Sequence, residues 1–208
     1  MIITKIERQK RNASRRSIFL DGKYLFSISE ELFVKHVLYE GKELTQGEID
    51  SIIAEEAEQS VKKAALRFRS IRPRSEHEIR SYLRKKGFDD SMIEKAMDFL
   101  HRNTLLNDLE FAKMFSRDRL ALKPVGKSVL KQLLYKKGIK KDIIESVTNE
   151  LFSKETEKEL AIKEAEKKYT RVSSLPPLTA KKRIFDHLVR RGYDSSLSLT
   201  IANTLVKQ

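Results

Sequence analysis

Apolar and polar positions change period along this chain, and the changes mark its elements. In "IITKIER" and "RRSIFLDGKYLFSI" the apolar residues fall at strand spacing, and Asp21-Gly22 between two such runs is a two-residue hairpin signal. Ile2, Ile3, Ile6, Ile18, Leu20, Leu25, Phe26 and Ile28 would supply the core of a small hairpin or three-stranded sheet. Ser29 then caps a short helix, "EELFVKHV". So few strands are marginal alone, so the sheet needs that helix or the following segment as a cover. From Gln46 to Phe68 the period becomes helical. Ile49, Ile53, Ala57, Val61, Ala64 and Phe68 recur every three or four residues, and Thr45 with Glu48 forms a capping box at the start.

The rest of the chain repeats itself. "IRSYLRKKGFDDSMIEKAMDFL" from Ile79, "LKQLLYKKGIKKDIIESVTNEL" from Leu130 and "IFDHLVRRGYDSSLSLTIANTL" from Ile184 align without gaps on Gly87, Gly138 and Gly192. Eight residues before each glycine stands Ile79, Leu130 or Ile184, and four before stands Leu83, Leu134 or Leu188. One after stands Phe88, Ile139 or Tyr193. Ala96, Val147 and Ile201, then Leu100, Leu151 and Leu205, continue the columns. Each glycine ends one helix in the left-handed conformation that side chains disfavour. The next helix follows at once, with Ser91-to-Glu94 and Asp142-to-Glu145 as capping boxes and Asp194 or Ser195 as the third cap. A further helix precedes each pair: the end of the long segment, then "DLEFAKMFSRDRLA" opened by Asn107 or Asp108, then "EKELAIKEAEKKY". The expectation is a mostly α fold of tandem three-helix repeats in an elongated array, with the small N-terminal sheet in front. The expected divisions are 1–45, 46–106, 107–153 and 154–208. Modules this small bury little surface alone, so neighbours should stack.

Charge sharpens this picture. The net charge is +13, and it is blocked along the chain: segment 61–87 carries +8, 121–141 carries +7 with no acid, and 181–208 carries +4. The blocks fall on the middle helix of each repeat and its entry. Pairs of cations precede each glycine: Lys85-Lys86, Lys136-Lys137 and Arg190-Arg191. Helix-dipole compensation explains those pairs, but not Arg67 to Arg74 or Lys181 to Arg183. Repeated positive faces suit a polyanion, by phosphate contact or by an acidic protein surface. Few aromatics interleave with the charges, which argues against a base-stacking reader of single strands. In the first segment, "RQKRNASRR" reads as a loop, equally a solvated one or a finger whose Lys10, Arg11, Arg15 and Arg16 form a secondary basic site.

Little else in the sequence carries chemistry. There is no cysteine, so disulfides, thiolate metal sites and thiol nucleophiles are excluded. No run is apolar enough to span a membrane, and the start lacks a signal peptide's apolar core, so a cytoplasmic protein is expected. His36, His77, His101 and His187 share no metal-like spacing, and His187 falls in an apolar column. "ALKPVGKS" resembles a phosphate loop. It follows a helix rather than a strand, and Pro124 removes an amide donor, so it reads as a helix–helix connection. No metal, cofactor or catalytic residue is assigned.

The aligned segments, with "RSEHEIRSYLRKKGF" and "FAKMFSRDR", resemble the RecX family of recombinase regulators over about residues 61–205. The resemblance implies a non-enzymatic modulator that binds the RecA filament on single-stranded DNA, lies in its groove and limits its extension and activity. The filament reading predicts weaker, salt-sensitive binding to free single-stranded DNA, and no membrane partner and a monomer are expected. The basic face assigned to this role comprises Arg67, Arg69, Arg72, Arg74, Arg80, Arg84, Lys123, Lys127, Lys131, Lys136, Arg183 and Arg190. The alternative is a helix-turn-helix type regulator acting alone on duplex DNA.

Overall fold

A computed structural model describes residues 1–10 and 12–206. Two compact units emerge: residues 1–71 with 82–103, and residues 72–81 with 104–208. The chain crosses from one to the other three times, once inside a helix, α3 (Glu76–Lys85), which supplies residues to both.

The first unit opens on an antiparallel meander of β1 (Ile3–Gln9), β2 (Asn12–Leu20) and β3 (Lys23–Ser29). Asp21 and Gly22 both have positive φ, 48° and 81°, as a tight hairpin between right-twisted strands requires. Ile3, Ile18, Leu20, Phe26 and Ile28 point inward and pack with Leu32 of α1 (Glu30–Lys35), with Leu38 and Leu44, and with Ile49 and Ile52 of α2 (Gln46–Ile71). Leu25 departs from its expected place. The pairing steps from Ile18–Phe26 to Phe19–Tyr24, so Leu25 is the extra residue of a bulge and stands 43% exposed. Ser29 precedes α1 without a side-chain cap; its backbone N–H donates instead to Glu56 Oε2 at 2.8 Å.

Helix α2 begins with the expected box: Thr45 N–H donates to Glu48 Oε2 at 2.8 Å, and Glu48 N–H to Thr45 Oγ1 at 3.3 Å. Its buried face runs through Ile49, Ile52, Glu56, Val61 and Ala65, not through Ile53 and Ala64. The face shifts because one helix serves two covers. Its first half seats the sheet, and its second half packs on α4 (Asp90–Arg102), which buries Ile93, Ala96, Met97 and Leu100. Asp89, not Ser91, caps α4 by accepting from Met92 N–H at 2.8 Å.

The second unit holds the start of α3 (Glu76–Lys85) and helices α5 (Asp108–Leu122), α6 (Lys127–Lys136), α7 (Lys141–Leu151), α8 (Lys154–Tyr169), α9 (Pro177–Arg190) and α10 (Ser195–Leu205). Asn107, Ser153 and Asp194 cap α5, α8 and α10 with their side chains. Lys140 stands at the cap of α7, so Asp142 lies in the first turn and makes no box. Phe111, Leu130, Leu134 and Val147 belong to one apolar cluster, and Ala161, Ile184, Leu188 and Ile201 to a second.

The glycine turns explain the sequence columns. Gly87, Gly138 and Gly192 have φ of 89°, 75° and 88°. Across each turn the residue after glycine donates its N–H to the carbonyl of the leucine five before it: Phe88 to Leu83, Ile139 to Leu134 and Tyr193 to Leu188, each at 3.2 Å. The glycine donates to Arg84, Tyr135 or Val189. This is the paired closure that satisfies the last carbonyls of a helix, with an apolar contact beside it.

Candidate functional site

The connection "KPVGKS" is a structural joint. Gly126 N–H donates to the Arg191 carbonyl at 2.8 Å, and Ser128 N–H to the Gly192 carbonyl at 3.2 Å. The amides that would have to cradle phosphate are thus already bonded to the turn that closes α9. A Cβ on Gly126 would lie 2.2 Å from the Gly192 carbonyl, which is why the position is glycine. Within the second unit, the start of α3 makes the matching joint with the turn that ends α6. Ser75, aligned with Gly126, donates its hydroxyl to the Lys137 carbonyl at 2.7 Å, and His77 packs over Gly138. Ser75 and Glu78 also form a reciprocal box at the start of α3, with Glu78 N–H to Ser75 Oγ at 3.2 Å. The sequence signal for it, Ser-x-x-Glu, stands in "RSEHE".

Charge reinforces both joints through the residue just before each glycine. Lys137 Nζ lies 2.6 Å from Glu78 Oε1, and Arg72 Nη2 is 2.9 Å from the same oxygen. Burial opposes ionisation of Glu78, but the bonds from Arg72 and Lys137 outweigh it and hold the carboxyl at about 2. Arg191 plays the matching part by donating a guanidinium N–H to the Pro124 carbonyl. Lys137 and Arg191 therefore do more than offset a helix dipole.

The N-terminal arginines also have structural work. Arg15 and Arg16 stand in β2, not in a loop. Arg15 donates to Glu56 Oε1 at 2.6 Å, and Glu56 is only 7% exposed. Arg16 makes a two-pronged contact with Glu30, at 2.8 and 2.6 Å, and lies 4.2 Å from the centre of the Phe33 ring. The expected basic finger is replaced by a strand whose cations tie the sheet to α1 and α2. Lys10 is exposed at the β1–β2 turn, and Arg11 lies outside the described residues.

The proposed basic face divides by how its members are engaged. Arg72 is held by Glu78, Arg80 by Glu76 at 2.7 Å, Arg84 by Asp90 at 2.9 Å, and Lys131 by Glu145 at 2.6 Å. Lys127 donates to Asn149 Oδ1 at 2.8 Å. Arg69 and Arg74 are half-buried, whereas Arg67, Lys123, Lys136, Arg183 and Arg190 are exposed. Helix α2 runs to Ile71, so Arg69 lies in its last turn, where a cation suits the dipole. Helix α9 starts at Pro177, so Lys181 to Arg183 follow its first turn rather than open it. Both findings weaken the dipole argument made from the sequence. One column survives intact: Lys85, Lys136 and Arg190, two before each glycine, are exposed in every repeat.

In the first unit, Arg67, Lys63 and Lys86 also line a groove of about 510 Å³ together with the Arg15–Glu56 pair. Tyr82 forms part of that wall and stacks on Phe68, ring centres 4.0 Å apart. Among the described residues, no three His, Asp or Glu side chains are grouped to hold a metal ion, and no helix is long and apolar enough to cross a membrane.

This architecture matches known proteins along nearly its whole length. The regulatory protein RecX N-terminal domain matches residues 1–45, and the first, second and third RecX three-helix domains match 62–100, 107–147 and 155–198. Regulatory protein RecX of Clostridium beijerinckii is 35% identical over 94% of this chain and 92% of its own. That of Clostridioides difficile is 35% identical over 99% and 96%. A crystal structure of regulatory protein RecX superposes with a TM-score of 0.73 at 28% identity, covering 96% of this chain and 98% of its own. RecX from Lactobacillus salivarius gives 0.66 at 25% identity, over 73% and 97%. Four domains in one order, on a fold built from the same three-helix module, make this chain a member of the RecX family of regulatory proteins.

Proposed function

We propose that the chain binds a RecA-type recombinase filament on single-stranded DNA and limits its extension and activity, without catalysis of its own. It acts in the cytoplasm as a monomer and needs no cofactor. The observation that carries this reading is membership of a regulatory family across all four domains. The exposed cations Arg67, Lys136, Arg183 and Arg190 support a polyanionic partner. Duplex sequence reading is less well supported. The last helix of a repeat, the one that would enter a groove, spends its side chains on the core: Ile93, Ala96, Met97 and Leu100 in α4, and Ile144 and Val147 in α7.

Recombinase-driven ATP hydrolysis on single-stranded DNA is the test. Sub-stoichiometric protein is expected to slow it. No effect at any ratio, or tight sequence-selective binding to duplex DNA alone, overturns the reading.

A further inference from the structure

Where repeats two and three meet, within the second unit, a cavity of about 400 Å³ is lined by Lys123, Lys167, Lys168, Arg171, Arg191, His187 and Glu164. Five cations face one carboxylate. Glu164 is 7% exposed and already shared: Arg191 Nε lies 3.4 Å from it, His187 Nε2 3.5 Å and Lys167 Nζ 3.6 Å. Lys123, Lys168 and Arg171 have no ion-pair partner among the described residues. Arg191 Nε is buried with no hydrogen-bond partner there.

The alternative to a ligand is dipole compensation, since the ends of α5, α8 and α9 all reach this cavity. Each helix end contributes about −0.5 of a charge, so three of them with Glu164 supply about −2.5 against five positive charges. About 2.5 positive charges remain unmatched, enough for one small anion. Two arginine forks and several lysines approaching from different helices suit the tetrahedral oxygens of phosphate better than a flat carboxylate.

We propose that this cavity is a phosphate clamp: it holds a phosphodiester of a nucleic-acid strand against repeats two and three together. The clamp deepens the strand-binding reading above and rests on it. Arg191 gives it a structural consequence, because the same side chain bonds the Pro124 carbonyl of the joint between the two repeats. An occupied clamp braces that joint.

The imidazole of His187 reports the site directly. In the intact protein its NMR signals are followed while an oligo-dT strand or inorganic phosphate is added. His187 is expected to shift at low oligomer concentration and only at far higher phosphate. Tight phosphate binding with no response to the strand would make this a free-anion site and overturn the proposal. No response to either would do the same. The double variant Lys168→Ala/Arg171→Ala is expected to weaken oligo-dT binding about tenfold and flatten its log–log salt dependence by about 1.4, two contacts at roughly 0.7 each. Lys158→Ala/Lys163→Ala removes equal charge from α8 outside the cavity and is expected to change the affinity little. Equal loss in the two variants overturns the clamp. A clamp that binds the strand in a protein that leaves filament hydrolysis untouched would sink the filament reading alone.

Discussion

At the scale of single residues, the three turn glycines separate two effects that one substitution usually mixes. Gly87 and Gly192 share a φ near 90°, so alanine strains both alike, by about 1–2 kcal/mol. Their surroundings differ. A Cβ at Gly87 meets nothing within 4 Å, while one at Gly192 would lie 2.5 Å from the Val129 backbone nitrogen. Gly87→Ala is therefore expected to cost about 1–2 kcal/mol. Gly192→Ala adds an overpacking cost of about 1–3 kcal/mol. Urea unfolding of both variants measures the gap, and equal losses would refute the joint between repeats two and three. The alignment marked these glycines as equivalent turns. It did not reveal that two of them are also contact surfaces, because the neighbour that presses on them arrives from 50 or more residues away.

At the scale of elements, the same joint recurs: the start of one middle helix seats on the turn that ends the next. Ser75 and Gly126 are small for that reason, and Ala180 in the third repeat lies inside α9 instead. The Glu78 carboxylate binds the first joint to Arg72 and Lys137. Its folded pKa of about 2 lies below the ordinary 4.5, so the contribution is full above that value and is lost as pH falls toward 2. Chemical-denaturation midpoints recorded from pH 6 to 2 should fall less steeply for Glu78→Gln than for the parent. Parallel curves would show that Glu78 does not hold the start of α3 to the turn that ends α6. The sheet has a comparable link in Arg15 and Glu56. Removing the buried partner by Glu56→Ala leaves Arg15 Nη1 and Ser29 N–H without their acceptor, with Arg15 held only by the Ser27 carbonyl, and is expected to cost about 2–3 kcal/mol. Thermal unfolding of the variant checks that figure. Glu56 breaks the apolar pattern of α2, so helical periodicity does not mark it as buried; its partner in β2 is what makes its burial tolerable.

At the scale of the whole molecule, the excess of +13 is spread unequally between structural and free roles. Many cations of the expected basic face are engaged by Glu76, Glu78, Asp90 and Glu145, whereas Lys85, Lys136 and Arg190 stand exposed in matching places. Replacing those three by alanine should leave the unfolding midpoint nearly unchanged, since each exposed change is worth about 0.5 kcal/mol or less. The same variant should bind a recombinase-coated strand at least about tenfold more weakly at moderate salt. Unchanged binding would remove this column from the interface. What the chain determined by itself was local: strand alternation, helical period, the left-handed glycines, the Thr45 box and the threefold register. Those follow from backbone sterics and from spacing along a few turns, which a linear string records. Only the tertiary structure decided which cations are spent on carboxylates, which small residues are joints, and which charges meet around one cavity. Those depend on groups far apart in the chain being brought within hydrogen-bond reach, where burial and Coulomb attraction, not sequence distance, choose the partner.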